Sequence, residues 1–105
     1  MSDRIEITRK RVIYTESTVV MRVRSRHGLV YWFIGEKPVE MTTTAAHDTG
    51  FGMVMQADQA EAGELVIVKI NGVAVQFLPH NAKQVGGALL RKADDADDFQ
   101  LRVNT

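Results

Sequence analysis

Apolar and polar positions alternate along this chain with two different periods, and their order predicts its elements. Ile5 and Ile7, and later Met21 and Val23, alternate with polar neighbours, the period of two expected of a strand with one face buried. Residues 29–34 and 65–70 are instead nearly continuous apolar runs of strand length, rich in β-branched and aromatic side chains. A turn pair follows each run, Gly35-Glu36 in the first case and Asn71-Gly72 in the second. Asn-Gly tolerates the positive φ angles of a type I′ hairpin. Return strands are predicted near residues 38–41 and 73–78, and Pro38, lacking an N–H for the ladder, puts the first of them at an edge or ends it early.

The period then changes to that of a helix. Ala46, Gly50, Met53, Ala57 and Ala60 recur at steps of four, three, four and three, and so do Ala82, Gly86, Leu89, Ala93 and Ala96; such steps hold one helical face. Thr42 or Thr43 is placed to cap the first helix, and Pro79 is pre-set for the first turn of the second. Both stripes consist mainly of small residues, which lets each helix approach a neighbour closely. The glycines cost about 1 kcal/mol each in helix propensity relative to alanine, so close packing is expected to compensate.

These matching patterns form a repeat. Shifting the chain by 36 residues pairs 28–63 with 64–99 at nine identities, among them Leu29/Leu65, Ile34/Ile70, Gly50/Gly86 and Asp58/Asp94, where composition alone gives about 2–3. The predicted organisation is a single domain. A basic N-terminal hairpin occupies 1–27, its arms at 4–14 and 18–26 joined through Thr15-Glu16-Ser17. Two ββα units follow at 28–63 and 64–99, and a short terminal strand at 100–105, with Gln100 to Val103 as its start. The fold class expected is α+β: one antiparallel sheet with two helices on one face.

Composition sharpens this picture in three ways. The 105 residues are 45% apolar and 25% charged, ordinary for one globular domain, and a core this small makes a partner chain, including a homodimer, a reasonable source of added stability. The absence of cysteine removes disulfides, thiolate zinc sites and cysteine nucleophiles, which fits a reducing, cytoplasmic setting. No segment has the length and apolarity of a membrane span, and residues 1–6 lack the apolar core of a signal peptide. The formal net charge is zero, yet residues 1–26 carry seven basic against three acidic residues, a net of +4 that the remainder balances. Such segregation either presents a local potential to a partner or is neutralised within the fold.

Three features carry candidate chemistry. Strand alternation places Arg22, Arg24 and Arg26 on one face, where guanidinium groups could grip phosphates; Arg9, Lys10 and Arg11 would extend the row across the hairpin, making nucleic acid a candidate partner. Asp94, Asp95, Asp97 and Asp98 cluster where the second helix is predicted to finish, against the helix dipole, so an offsetting group such as a basic protein surface is expected. Leu29, Tyr31 and Phe33 form a second apolar face on their strand, to be covered by the N-terminal hairpin or by a partner. His27, His47 and His80 show no metal-ligand spacing and read as surface histidines. No nucleophile motif or phosphate-cradling loop is present, and neither a cofactor nor a metal is expected.

Residues 79–96, from Pro79-His80-Asn81-Ala82-Lys83 to Ala93-Asp94-Asp95-Ala96, resemble the terminal helix of small uncharacterised bacterial and phage accessory proteins. These include phage-borne inhibitors of host defence such as anti-CRISPRs. The resemblance covers about a sixth of the chain and implies a small, non-enzymatic protein-binding module, an inhibitor or regulator of a host complex, acting through the acidic residues or the aromatic face. Nucleic-acid binding through the arginine row is the alternative.

Overall fold

Two-residue turns set the strand pairing. In a computed structural model, which describes residues 4–14 and 20–103, His27 and Gly28 have φ of 53° and 80°, and Asn71 and Gly72 have φ of 53° and 85°. Left-handed backbone at both central positions is what a type I′ turn requires, and it reverses a strand with the right twist. The first of these turns joins β2 (Met21–Arg26) to β3 (Leu29–Ile34), and the second joins β5 (Leu65–Ile70) to β6 (Val73–Phe77). At Gly35-Glu36 only the glycine has positive φ, and β3 returns there as β4 (Lys37–Met41).

The predicted single sheet is two. One has the order β2-β3-β4; the other, β1-β5-β6, is led by β1 (Ile5–Lys10), and all pairs are antiparallel. The predicted N-terminal hairpin is therefore corrected: β1 and β2 do not pair with each other but open into different sheets. Residues 15–19, which include its predicted turn, lie outside the described residues. The repeat explains the separation. Met21 of β2 faces Ile34, and Ile5 of β1 faces Ile70, the residue that the 36-residue shift equates with Ile34. Each unit is thus three strands and a helix. Only residues 60–64 separate the first helix from β5, too few for a strand of its own, and β1, from far earlier in the chain, fills that place.

The helices are α1 (Thr43–Gln59), capped by the Thr42 hydroxyl, which accepts from the Ala45 N–H at 3.1 Å, and α2 (Pro79–Val103). Each lies chiefly on the other unit's sheet, α1 against β1 and β5 and α2 against β2 and β3, so the two units interlock. The small-residue stripes face one another and are buried, except Ala60, which is half-buried. At their crossing the repeat-equivalent glycines meet: a Cβ on Gly50 would lie 2.6 Å from the Gly86 carbonyl oxygen, and one on Gly86 would lie 2.8 Å from that of Gly50. Val30, Trp32, Met53, Val66, Val68 and Leu89 fill the centre.

The predicted terminal strand at 100–105 is also corrected, since α2 continues through residue 103, and residues 104–105 lie outside the described residues. The extension is held at the β2-β3 turn. Gln100 donates from Nε2 to the Gly28 carbonyl at 3.0 Å, and the Phe99 ring lies 5.9 Å from that of His27. Asp94 to Asp98 consequently sit inside the helix rather than at its end, and the last turn holds Arg102, the sign that suits the dipole. Among the described residues, no helix is long and apolar enough to cross a membrane.

Candidate functional site

Two features that are separate in the sequence share one surface in the structure. Along β2 the inward residues are Met21, Val23 and Ser25, so Arg22, Arg24 and Arg26 point outward and are exposed. In β3, Val30 and Trp32 are fully buried beneath the helices, which turns Leu29, Tyr31 and Phe33 to the same outer face. The register sets them side by side: Arg22 beside Phe33, Arg24 beside Tyr31, Arg26 beside Leu29. The Arg22 guanidinium carbon lies 5.4 Å from the centre of the Phe33 ring, within cation–π range. Pro38 and Glu40 of β4 complete the face beside Phe33 and Tyr31.

The predicted hairpin does not cover this face. Because β2 lies beside β3 rather than across it, Leu29, Tyr31 and Phe33 stay half-buried, with no further layer over them among the described residues. Alternate residues of a strand recur about every 6.8 Å, so the arginines form an evenly spaced cationic rail along a ridge of aromatic and apolar side chains.

The basic N-terminal set divides into two populations. On and just after β1 the charge is satisfied within the fold: Arg9 reaches the Gln56 side chain at 2.8 Å and Glu64 at 3.6 Å, and Arg11 pairs with Glu61 at 3.1 Å, while Arg4 pairs with Glu6 at 2.9 Å. Arg9 and Arg11 also donate to the backbone carbonyls of Gln59 and Ala62. These bonds tie β1 to the end of α1. Lys10 is exposed in the same sheet, away from the β2 row. Among the described residues none of Arg22, Arg24 and Arg26 has an ion-pair partner.

The second sheet serves as an internal control. Its outer face carries Glu6, Thr8 and Lys10 where β2 has the arginines, and Ile67 and Lys69 where β3 has Tyr31 and Phe33. Both sheets fold on the same plan, so the plan does not require the arginine-aromatic combination.

The acidic residues divide as well. Asp94 and Asp97 face His47 across the helix pair, each with a carboxylate oxygen 3.4 Å from its Nε2; Asp95 lies 3.6 Å from Lys92, and Asp98 is exposed. The meeting of His47 with α2 has no sequence spacing to betray it, because its partners are 47 and 50 residues away. A cavity of about 580 Å³ beside β6 is lined by residues such as Tyr14, Met21, Ile34, Phe77, Gln84 and Val85 and, among the described residues, by no acid, histidine, lysine or arginine. It offers no catalytic pair.

Comparison with protein-family models, with curated proteins and with solved structures gives no match.

Proposed function

We propose that the protein is a small, non-enzymatic binding module and that the outer face of β2-β3-β4 takes single-stranded nucleic acid. The observation that carries this reading is the arginine row lying directly beside Tyr31 and Phe33, with no ion-pair partner among the described residues. Single strands are bound by aromatic side chains on which bases stack, worth about 1–3 kcal/mol per base, together with a cationic groove that follows the backbone. Arginine suits both tasks, gripping phosphate with its planar fork and stacking on rings. A neutral net charge is compatible with this, because Asp58, Glu61, Glu64, Asp94 and Asp97 lie against Lys83, Arg11, Arg9 and His47 rather than against the β2 row, although Glu40 of β4 lies on the face itself, beside Tyr31.

A protein partner is the second reading. Arginine and aromatic residues are also enriched at protein interfaces, and the same face would serve. Salt separates the two. For single strands, affinity falls with a slope of about −0.7 per phosphate neutralised in a plot of log K against log salt. Three arginines therefore predict a slope of about −2 in fluorescence anisotropy with a labelled oligonucleotide, and loss of binding when Arg22, Arg24 and Arg26 are all changed to glutamine. Absence of oligonucleotide binding, or binding indifferent to the triple substitution, would refute the nucleic-acid reading. A nuclease-resistant protein complex lost in the same variant would assign the face to a protein.

A further inference from the structure

Independently of that face, the geometry points to a divalent transition-metal site of zinc type formed by His47 Nε2 of α1 and the carboxylates of Asp94 and Asp97 of α2. The three donor atoms lie within 4.8 Å of one another, and His47 Nε2 stands 3.4 Å from an oxygen of each aspartate. Zinc is held by histidine nitrogen and carboxylate oxygen at about 2.0–2.2 Å in a tetrahedron, which separates neighbouring donors by about 3.3–3.6 Å. A charge-assisted hydrogen bond would draw nitrogen and oxygen to about 2.7–2.9 Å. The two nitrogen–oxygen spacings match that ligand separation, and at 3.4 Å the His47–Asp97 contact is also a long hydrogen bond.

The repeat supplies an independent comparison. Under the 36-residue shift His47 corresponds to Lys83, and Asp94 to Asp58. At that related position Lys83 closes directly onto Asp58 as an ion pair. The first copy thus places imidazole where the second places an ammonium, and the imidazole stands back from two carboxylates at once. Lysine satisfies the position as a cation. Histidine presents a ligand atom, and Asp97, one turn beyond Asp94, brings a second carboxylate to the same side of α2.

One imidazole and two carboxylates suit zinc, cobalt or nickel better than calcium, which takes six to eight oxygens. Three protein ligands leave one tetrahedral position for water. Because the ligands come from both helices, a bound ion would cross-link α1 to α2, and metal would stabilise the folded chain in proportion to its occupancy.

The test is titration of the tag-free protein with zinc chloride by calorimetry and with cobalt chloride by visible absorption, alongside thermal unfolding with and without zinc. One equivalent per chain is expected, with a tetrahedral cobalt spectrum and a rise in melting temperature. H47A and D97N should weaken binding at least about tenfold. H47K is the decisive variant: it restores the ion pair seen at Lys83 and Asp58, so it should fold normally and bind no metal. The double variants D95N/D98N and H27A/H80A should bind as the parent does. No saturable binding, binding at several weak equivalents, or affinity unchanged in H47K would overturn the proposal.

Discussion

Trp32→Ala is expected to lower the stability of the fold by about 3–5 kcal/mol, the range for deleting a large buried aromatic. Trp32 is completely buried, and its ring lies 6.3 Å from that of Phe77, so the first unit's central strand and the second unit's edge strand meet at this contact. A domain of this size has a total margin of about 5–15 kcal/mol, so the variant should be largely unfolded at moderate urea concentrations. Trp32→Phe should cost much less. The indole N–H has no acceptor among the described residues, and removing a buried donor of that kind returns part of a desolvation cost of about 1–3 kcal/mol. Urea unfolding followed by far-ultraviolet circular dichroism checks both values. Equal losses for the two variants would mean that the indole is hydrogen-bonded after all.

The second large effect is expected at the helix crossing. Alanine gains about 1 kcal/mol over glycine in a helix interior, so Gly50→Ala and Gly86→Ala would stabilise an isolated helix. In the folded chain the added methyl meets backbone, at 2.6 Å and 2.8 Å from the opposing carbonyl oxygen, and backbone has no rotamer in which to step aside. The helices must separate, which strips contacts from Met53 and Leu89. Each substitution should cost about 1–3 kcal/mol, the overpacking range. The double variant should lose less than the sum, because one separation relieves both clashes. Gly87→Ala is the control: its methyl would meet only the far end of the Arg91 side chain, at 3.3 Å, so it should be neutral or stabilising. Thermal unfolding of the four variants orders them. A Gly86→Ala protein as stable as Gly87→Ala would contradict the crossing geometry.

Much of what is encoded locally was legible in the sequence, the His27-Gly28 hairpin between β2 and β3 excepted. The apolar runs 29–34 and 65–70 are strands with those bounds, the turn at Asn71-Gly72 has the backbone its residues favour, and both small-residue stripes are helical faces, except that Ala60 lies just past the end of α1 in extended backbone. What could not be read was pairing at long range. The alternation in β1 and β2 is equally compatible with a hairpin and with two separate partners, and nothing local states that β1 belongs beside β5. The end of α2 was misread for a related reason. Residues 100–103 have a strand-like pattern in isolation, yet the contacts of Gln100 and Phe99 with the β2-β3 turn hold them helical. Tertiary contact overrides a short local preference.

The same logic applies to the functional residues. The arginine row and the aromatic row were each visible by alternation, but their union needed the β2-β3 register, which a two-residue turn at His27-Gly28 sets. Their exposure needed the N-terminal strands to part. Had they formed a hairpin across β3, Tyr31 and Phe33 would be covered. The repeat then distinguishes architecture from function: matched positions such as Gly50 and Gly86 build the crossing, whereas unmatched ones such as Phe33 against Lys69 and His47 against Lys83 mark where one copy acquired a surface or ligand that the other lacks.

The most direct test of the binding face is a residue-by-residue one. Isotope-labelled protein titrated with a ten-nucleotide single-stranded oligonucleotide in low salt should show amide shift changes concentrated at Arg22 to Arg26, at Leu29 to Phe33 and around Pro38 to Glu40. Glu6, Thr8, Ile67 and Lys69, at the corresponding positions of the other sheet, should stay unmoved. Shifts confined to that sheet or to the helices, or no shifts at all, would contradict the assignment of the β2-β3-β4 face as the binding surface.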